Sequence, residues 1–82
     1  MKNNKCSKRE ESLRNALKVM RKTAGLNQSQ LAQKLDKPQS FVSKYESGER
    51  KIDAVELIEL IQCLDESPET FIKKYCSKLE NT

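Results

Sequence analysis

From Leu26 to Arg50 the chain reads LNQSQLAQKLDKPQSFVSKYESGER, and this stretch decides the fold. Its apolar residues recur at helical spacing in two short blocks, which Asp36 and Pro38 separate. A short helix, a turn of three or four residues and a second helix make a helix-turn-helix unit. The sequence therefore predicts such a unit at about residues 28–46, in the middle of the chain.

Signals for the start of a helix lie within this unit and on both sides of it. Asn27 and Gln30 have the spacing of a capping box, in which two side chains each accept a backbone N–H at the start of a helix. Asp53 and Glu56 repeat that spacing. The other predicted helix starts are Ser7 with Glu10, Pro38, and Ser67 with Pro68. Every Gly and Pro falls between helical patterns and there is no strand pattern, so the sequence predicts an all-α fold of five helices.

The charge of the chain is uneven along its length. Residues 1–51 carry 13 Lys and Arg against 5 Asp and Glu, a net charge of +8, whereas residues 52–82 carry 3 against 7, a net charge of −4. The folded domain is expected at 10–79, between a basic N-terminal arm at 1–9 and a short tail at 80–82. A basic half beside an acidic half favours a surface that binds a polyanion. A solvated surface without a partner is the alternative.

Composition excludes several classes of protein. The 82 residues suffice for one small domain, with little room for a substrate cleft. There is no histidine, and the three cysteines, Cys6, Cys63 and Cys76, lack the spacing of zinc ligands. Their odd number favours a reducing compartment, and neither a signal peptide nor a membrane-spanning run is present. We therefore expect a cytoplasmic protein that is not an enzyme, without metal, cofactor, membrane association or an evident small-molecule effector.

The second helix of the unit has a polar outer face. Apolar residues of both helices are expected in one shared core: Leu31, Leu35, Val42 and Tyr45. This packing turns four polar residues outward: Gln39, Ser40, Ser43 and Lys44. Glutamine can form two hydrogen bonds with adenine, serine can donate or accept, and lysine can reach guanine or a phosphate. The pattern is typical of a helix that reads base edges in the major groove of double-stranded DNA, although an ordinary solvated helix face would look similar.

The segments LNQSQLAQKL, PQSFVSKYE and SGER resemble the Cro/repressor-type (Xre-like) helix-turn-helix family. The resemblance extends more weakly over the other helices and covers about residues 10–75. It implies a compact five-helix, lambda-repressor-like domain with a central helix-turn-helix. It also implies binding to operator DNA, usually as a two-fold dimer, in the regulation of transcription.

The resemblance assigns roles by position. Gln28 matches a residue that contacts backbone phosphate and supports the recognition helix, and the neighbouring Asn27 is expected to contact phosphate too. Arg21 and Glu46 match an ion pair that bridges the first helix to the end of the third. Three of the outward residues match base-contacting positions of the family: Gln39, Ser40 and Lys44. Ser43 is adjacent to them and is included in the predicted set of base contacts.

The basic residues of the first helix and of the arm are expected to neutralise phosphates without reading sequence. On the first helix they include Lys18 and Lys22, which we expect to contact DNA phosphates. Asp36 stands where the family usually has glycine, and Lys37 stands at an often apolar position where we expect a solvated side chain. For Phe41 two roles stay open, packing in the core and contact with a thymine methyl group.

The fourth helix is apolar over more of its circumference than one core contact requires. Six apolar residues span about 160° of the helix, whereas a surface helix needs about 100° to cover a core. Val55 and Cys63 lie outside even that arc. The excess predicts a homodimer interface that includes Val55, Leu60 and Cys63, because two-fold dimers are the commonest assemblies. The alternative is that the fifth helix covers the excess within one chain.

The sequence as a whole favours a DNA-binding transcriptional regulator of the repressor or controller type, bound to a two-fold operator as a homodimer. The alternative is an antitoxin or adaptor module whose main partner is another protein. Long extensions that wrap around a partner would favour the alternative, and the sequence contains none.

Overall fold

The computed structural model describes the backbone of residues 4–80 and the side chains of residues 8–77. Five helices follow one another in this range, and it contains no strand: α1 (Asn4–Thr23), α2 (Gln28–Leu35), α3 (Gln39–Ser47), α4 (Ala54–Cys63) and α5 (Pro68–Glu80). The predicted all-α architecture is confirmed. None of these helices is long and apolar enough to cross a membrane.

Two helix starts have the capping boxes that the sequence predicts. Asn27 Oδ1 accepts the Gln30 N–H at 2.8 Å, and Gln30 Oε1 accepts the Asn27 N–H at 2.8 Å. Asp53 Oδ1 accepts the Glu56 N–H at 2.8 Å, and Glu56 Oε1 accepts the Asp53 N–H at 3.1 Å. Each box satisfies two backbone donors that a helix start otherwise leaves unpaired. The two boxes fix where α2 and α4 begin.

Two other helix starts differ from the prediction. The first helix begins at Asn4 rather than near Ser7, so residues 4–9 of the predicted arm are helical. The side chain of Ser7 lies outside the described residues, and so does its expected box. Pro38 is the N-cap of α3 rather than its first residue, with φ −68° and ψ 154°. Proline keeps the residue before it out of the helical region, which separates α3 from the turn.

The turn between α2 and α3 closes on an aspartate. Asp36 has φ 59° and ψ 44°, the left-handed conformation that usually favours glycine. Its N–H donates to Gln33 O at 3.1 Å, and the Lys37 N–H donates to Ala32 O at 2.9 Å. Aspartate adopts this conformation more readily than most residues. The turn that the family builds with glycine is therefore built here with aspartate.

The core lies where α2, α3 and α4 meet α1 and α5. Its buried residues come from all five helices: Leu17, Leu31, Ala32, Phe41, Val42, Tyr45, Leu60, Ile61, Leu64 and Phe71. Burial raises the pKa of the Tyr45 hydroxyl, which has no hydrogen-bond partner among the described residues. A hydrogen bond also links α5 to α1: the Tyr75 hydroxyl donates to Arg9 O at 2.6 Å.

The expectation that Leu60 contacts a second chain is wrong. Leu60 is 0% exposed and packs inside this chain, so it cannot reach a partner. At about 100° per residue, Leu60 lies about 140° around the helix from Val55, on the side of the core. Val55 is 64% exposed and Cys63 is half-buried. The fold thus covers the side of α4 that carries Leu60 and leaves Val55 exposed on the other side.

Candidate nucleic-acid interface

The outer face of α3 presents the four residues that the sequence singled out. Gln39, Ser40 and Lys44 are exposed, and Ser43 is half-buried. The Ser43 hydroxyl donates to Ser40 O at 3.4 Å, within the same helix. The opposite face of α3 is buried in the core through Val42 and its neighbours. This arrangement leaves the polar side chains of α3 facing outward along one ridge.

A buried ion pair fixes the end of α3 against α1. Arg21 Nε lies 2.7 Å from Glu46 Oε2, and Arg21 Nη2 donates to Glu46 Oε1 at 3.1 Å. Arg21 Nη1 donates to Leu26 O at 2.7 Å, in the connection before α2. Arg21 is 6% exposed and the Glu46 side chain 3%. Two-pronged contact between guanidinium and carboxylate restricts orientation as well as distance, so the pair sets how α3 lies on the fold.

Gln28 joins this pair from the first turn of α2. Its Nε2 donates to Glu46 Oε1 at 2.9 Å, and the side chain is half-buried. The resemblance implied that Gln28 supports the recognition helix, and this hydrogen bond is such a support. The exposed Asn27 beside it uses its side-chain oxygen for the cap of α2, which leaves its amide nitrogen to donate elsewhere. Phosphate contact by these two residues stays a prediction.

A shallow groove at the start of α3 collects positive charge. It has a volume of about 290 Å³, and six residues line it: Lys37, Pro38, Ser40, Phe41, Lys44 and Arg50. Lys37 Nζ lies 5.1 Å from the centroid of the Phe41 ring, and Arg50 Cζ lies 4.8 Å from it. Both distances are within the range of cation–π attraction. Lys37 is half-buried rather than solvated, because it packs over this ring.

Phe41 forms the floor of the groove. It is 7% exposed, and its ring meets Tyr45 edge-on at a centroid distance of 5.5 Å. With a ring that is buried and flanked by cations, Phe41 has little surface left for a thymine methyl group. Of the two roles left open by the sequence, the structure favours packing in the core.

Arg50 is held by Glu56, a contact that the sequence did not indicate, because the pattern assigned Glu56 only to the capping box of α4 and gave Arg50 no role. Arg50 Nη1 and Nη2 donate to the two carboxylate oxygens of Glu56, each at 2.9 Å, and Nη1 also donates to Lys51 O at 3.1 Å. The hydrogen bonds from Arg50 and from the Asp53 N–H lower the pKa of the Glu56 carboxyl to about 2. The pair spans the loop between α3 and α4, so no helical spacing in the sequence indicated it.

Basic residues on α1 differ in what surrounds them. Lys18 and Lys22 are exposed and stay predicted phosphate contacts. Arg14 instead packs on the turn after α3, since a Cβ added to Gly48 would lie 3.0 Å from Arg14 Cζ. Gly48 has φ 90°, a left-handed conformation that glycine adopts without the steric strain a side chain would cause. Unlike Lys18 and Lys22, Arg14 is half-buried.

No group of three or more Cys, Asp or Glu residues in the described part of the chain could hold a metal ion. Cys63 and Cys76 are both free thiols.

The fold and the outer face of α3 define a helix-turn-helix protein. A model of the helix-turn-helix family matches residues 17–71. Among solved structures, the chain is similar to an XRE-family like protein from Pseudomonas syringae pv. tomato str. DC3000, with 32% identity, a TM-score of 0.87 and 93% of each chain covered. No curated protein sequence matches the chain. The chain belongs to the Xre-type helix-turn-helix family, whose members are typically non-enzymatic, DNA-binding regulators of transcription.

Proposed function

We propose that this protein is a sequence-specific transcriptional regulator of the repressor or controller type, which binds a two-fold operator as a homodimer. One observation carries the proposal: the exposed polar ridge of α3 lies on a helix whose orientation is fixed by the buried pair of Arg21 and Glu46. A recognition helix needs both properties, because base edges are read only when the side chains approach them at a constant angle. The proposal includes the cytoplasmic location expected from the sequence.

The residues at the start of α3 are assigned to base contacts. Gln39 and Ser40 lie in its first turn, and the N-terminal residues of a recognition helix approach the base edges most closely. Ser43 and Lys44 lie one turn further along, where Lys44 can reach guanine or a phosphate. Three of these side chains are exposed and Ser43 is half-buried on the same ridge, so a single duplex can approach all four.

Phosphate contacts are assigned to residues around this ridge. Asn27 and Gln28 lie at the N-terminus of α2, where backbone N–H groups and the helix dipole favour an anion. Lys18 and Lys22 add charge from α1, within the half of the chain that has a net charge of +8. Such contacts supply affinity and register, whereas base contacts supply specificity.

The homodimer is assigned to the outer edge of α4. Val55 is 64% exposed and Ile58 is 45% exposed, and the half-buried Cys63 lies two turns beyond Val55. Exposed apolar side chains on one helix face are a common site of self-association. In this dimer the two copies of α3 should lie about 34 Å apart, which is one turn of DNA.

A protein partner is the second candidate, and one groove favours it. The groove lies between α1 and α5 and has a volume of about 370 Å³. Its walls include Ala16, Phe71 and Tyr75, and Val19 at its edge is 62% exposed. An antitoxin or adaptor would use such a surface for its main partner.

Selection of bound sequences from random duplex DNA tests the proposal directly. A two-fold consensus, with half-sites one turn apart, is the expected result. The selected duplex should then bind more tightly than a scrambled duplex at the same salt concentration. A protein that enriches no sequence and binds neither duplex at low salt would overturn the DNA proposal and leave the protein partner.

A further inference from the structure

We propose that Glu56 is a positioning residue that determines specificity: it holds Arg50 in the groove at the start of α3 as a ready ligand for one DNA phosphate. This inference rests on the DNA-binding function proposed above. Glu56 itself need not touch DNA, because it acts through Arg50. No helical spacing links the two residues, which meet only in the folded chain.

Three contacts immobilise Arg50. The Glu56 carboxylate binds Nη1 and Nη2, each at 2.9 Å, and Lys51 O accepts from Nη1 at 3.1 Å. The Phe41 ring supports the guanidinium from one face, at 4.8 Å from its centroid. The Arg50 side chain nevertheless keeps 42% of its surface exposed. An arginine in this position is ordered before a ligand arrives, yet open to one.

The groove has the chemistry of an anion site. Arg50 has five N–H donors, and the hydrogen bonds to Glu56 and Lys51 account for three of them. Lys37 and Lys44 line the same groove of about 290 Å³. Three cations thus converge beside a single carboxylate, and the groove opens next to the base-reading residues of α3. A phosphate of the bound duplex fits this charge and this position.

Holding Arg50 in place raises specificity for a physical reason. A phosphate at the right position meets an arginine that loses little further rotational freedom, so this contact is favourable. A phosphate elsewhere along the backbone can recruit Arg50 only after the two charge-assisted bonds to Glu56 break. The carboxylate therefore favours one register of the duplex over the others, and it lowers the attraction for DNA in general.

Glu56→Gln separates this role from the role of Glu56 in the fold. Glutamine also serves at the third position of a capping box, so the start of α4 is retained. The matched control is Glu49→Gln, which removes the same charge from an exposed residue next to Arg50 in the loop between α3 and α4. Binding to the selected duplex and to a scrambled duplex is measured for both variants and the wild type. Thermal melting of each variant checks the fold.

Opposite changes on the two duplexes are the expected result for Glu56→Gln. Affinity for the selected duplex should fall about two- to tenfold, because an Arg50 side chain that Glu56 no longer holds must lose its rotational freedom when it binds the phosphate. Affinity for the scrambled duplex should rise, because a negative charge is gone. Glu49→Gln should raise the affinity for both duplexes. Arg50→Lys keeps the positive charge but loses the two-pronged geometry, so it should lower the ratio of the two affinities as Glu56→Gln does.

The inference and the proposed function can fail separately. Equal changes on both duplexes for Glu56→Gln, like those of Glu49→Gln, would overturn the inference while the wild type still prefers the selected duplex. A wild type without that preference would overturn the function itself. If Glu56→Gln melts at a much lower temperature, Arg50→Lys decides: an unchanged affinity ratio for that variant also overturns the inference.

Discussion

Gln28 and Glu46 are joined by a hydrogen bond of 2.9 Å, from the Gln28 amide nitrogen to Glu46 Oε1. Arg21 binds the same carboxylate, so Glu46 is the point at which α1, α2 and α3 meet. A shift of any one of these side chains would displace the end of α3. The stability of the fold and the angle at which α3 would meet DNA in the proposed function therefore depend on the same three residues.

Arg21→Ala should reduce the free energy of unfolding by about 3–5 kcal/mol, because it leaves a buried carboxylate without its counter-charge. Urea denaturation monitored by circular dichroism measures the change. Lys18→Ala is the control, since Lys18 is exposed on the same helix and should change stability by less than about 0.5 kcal/mol. A loss below about 1 kcal/mol for Arg21→Ala would contradict the role given to the pair.

Gln39→Ala should weaken binding to the operator by about 1–3 kcal/mol per half-site and relax the preference at one base pair. Lys22→Ala should instead weaken all sequences alike and reduce the salt slope by about one unit per phosphate contact. Titration of selected and scrambled duplexes across a salt series separates the two effects. If Gln39→Ala weakens both duplexes equally, α3 does not read bases through this residue.

Val55→Lys should shift a dimer toward monomer while the fold persists, because Val55 is 64% exposed on α4. Leu60→Lys should unfold the protein instead, because a charge would enter the core. Sedimentation velocity gives the assembly state, and circular dichroism gives the fold. A wild type that sediments as a monomer at high micromolar concentration would refute the dimer.

Asp36→Gly should stabilise the protein by up to about 1 kcal/mol, since glycine adopts the left-handed conformation without steric strain. Asp36→Val should destabilise it, because a β-branched residue is unfavourable at φ 59°. Asp65 has φ 60° in the turn before α5, so Asp65→Gly is a matched test of the same principle. Thermal melting measures all three variants. A lower melting temperature for Asp36→Gly would mean that the aspartate side chain itself stabilises the turn.

Acid should break the link between Glu56 and Arg50 only at low pH. The pKa of Glu56 is lowered from 4.5 to about 2 in the fold, so its contribution to stability is complete above 4.5 and is lost as the pH falls toward 2. Melting curves between pH 2 and 7, for the wild type and for Glu56→Gln, test this window. The difference in melting temperature between the wild type and Glu56→Gln should shrink as the pH falls from 4.5 toward 2. A difference that stays constant would contradict the contribution given to the ionised Glu56 carboxylate.

The sequence predicted those features that depend on neighbours in the chain. Both capping boxes, at Asn27 and Asp53, follow from side chains three residues apart, and such contacts form wherever the helix starts. The outward face of α3 followed because the apolar residues of the helix-turn-helix left it no other orientation. The family resemblance added Arg21 and Glu46, which lie 25 residues apart and are in contact in the fold.

Features that depend on distant packing were missed or misplaced. The apolar arc of α4 was interpreted as too wide for one core contact, but helical spacing alone does not say which part of an arc the core covers. Leu60 was therefore placed on the surface, although it is completely buried. Arg50 and Glu56 meet across a loop whose path no local pattern determines. Their contact could be found only in the folded chain.

The side chains of Gln39 and Lys44 form no hydrogen bond with the described residues, whereas those of Arg21 and Gln28 both bind the Glu46 carboxylate. The residues that would read DNA and the residues that set the reading angle are thus separate sets. A lineage could exchange the first set freely and acquire a new operator at little cost in stability. Divergence of regulatory targets within this scaffold therefore requires only a few substitutions on one ridge of one helix.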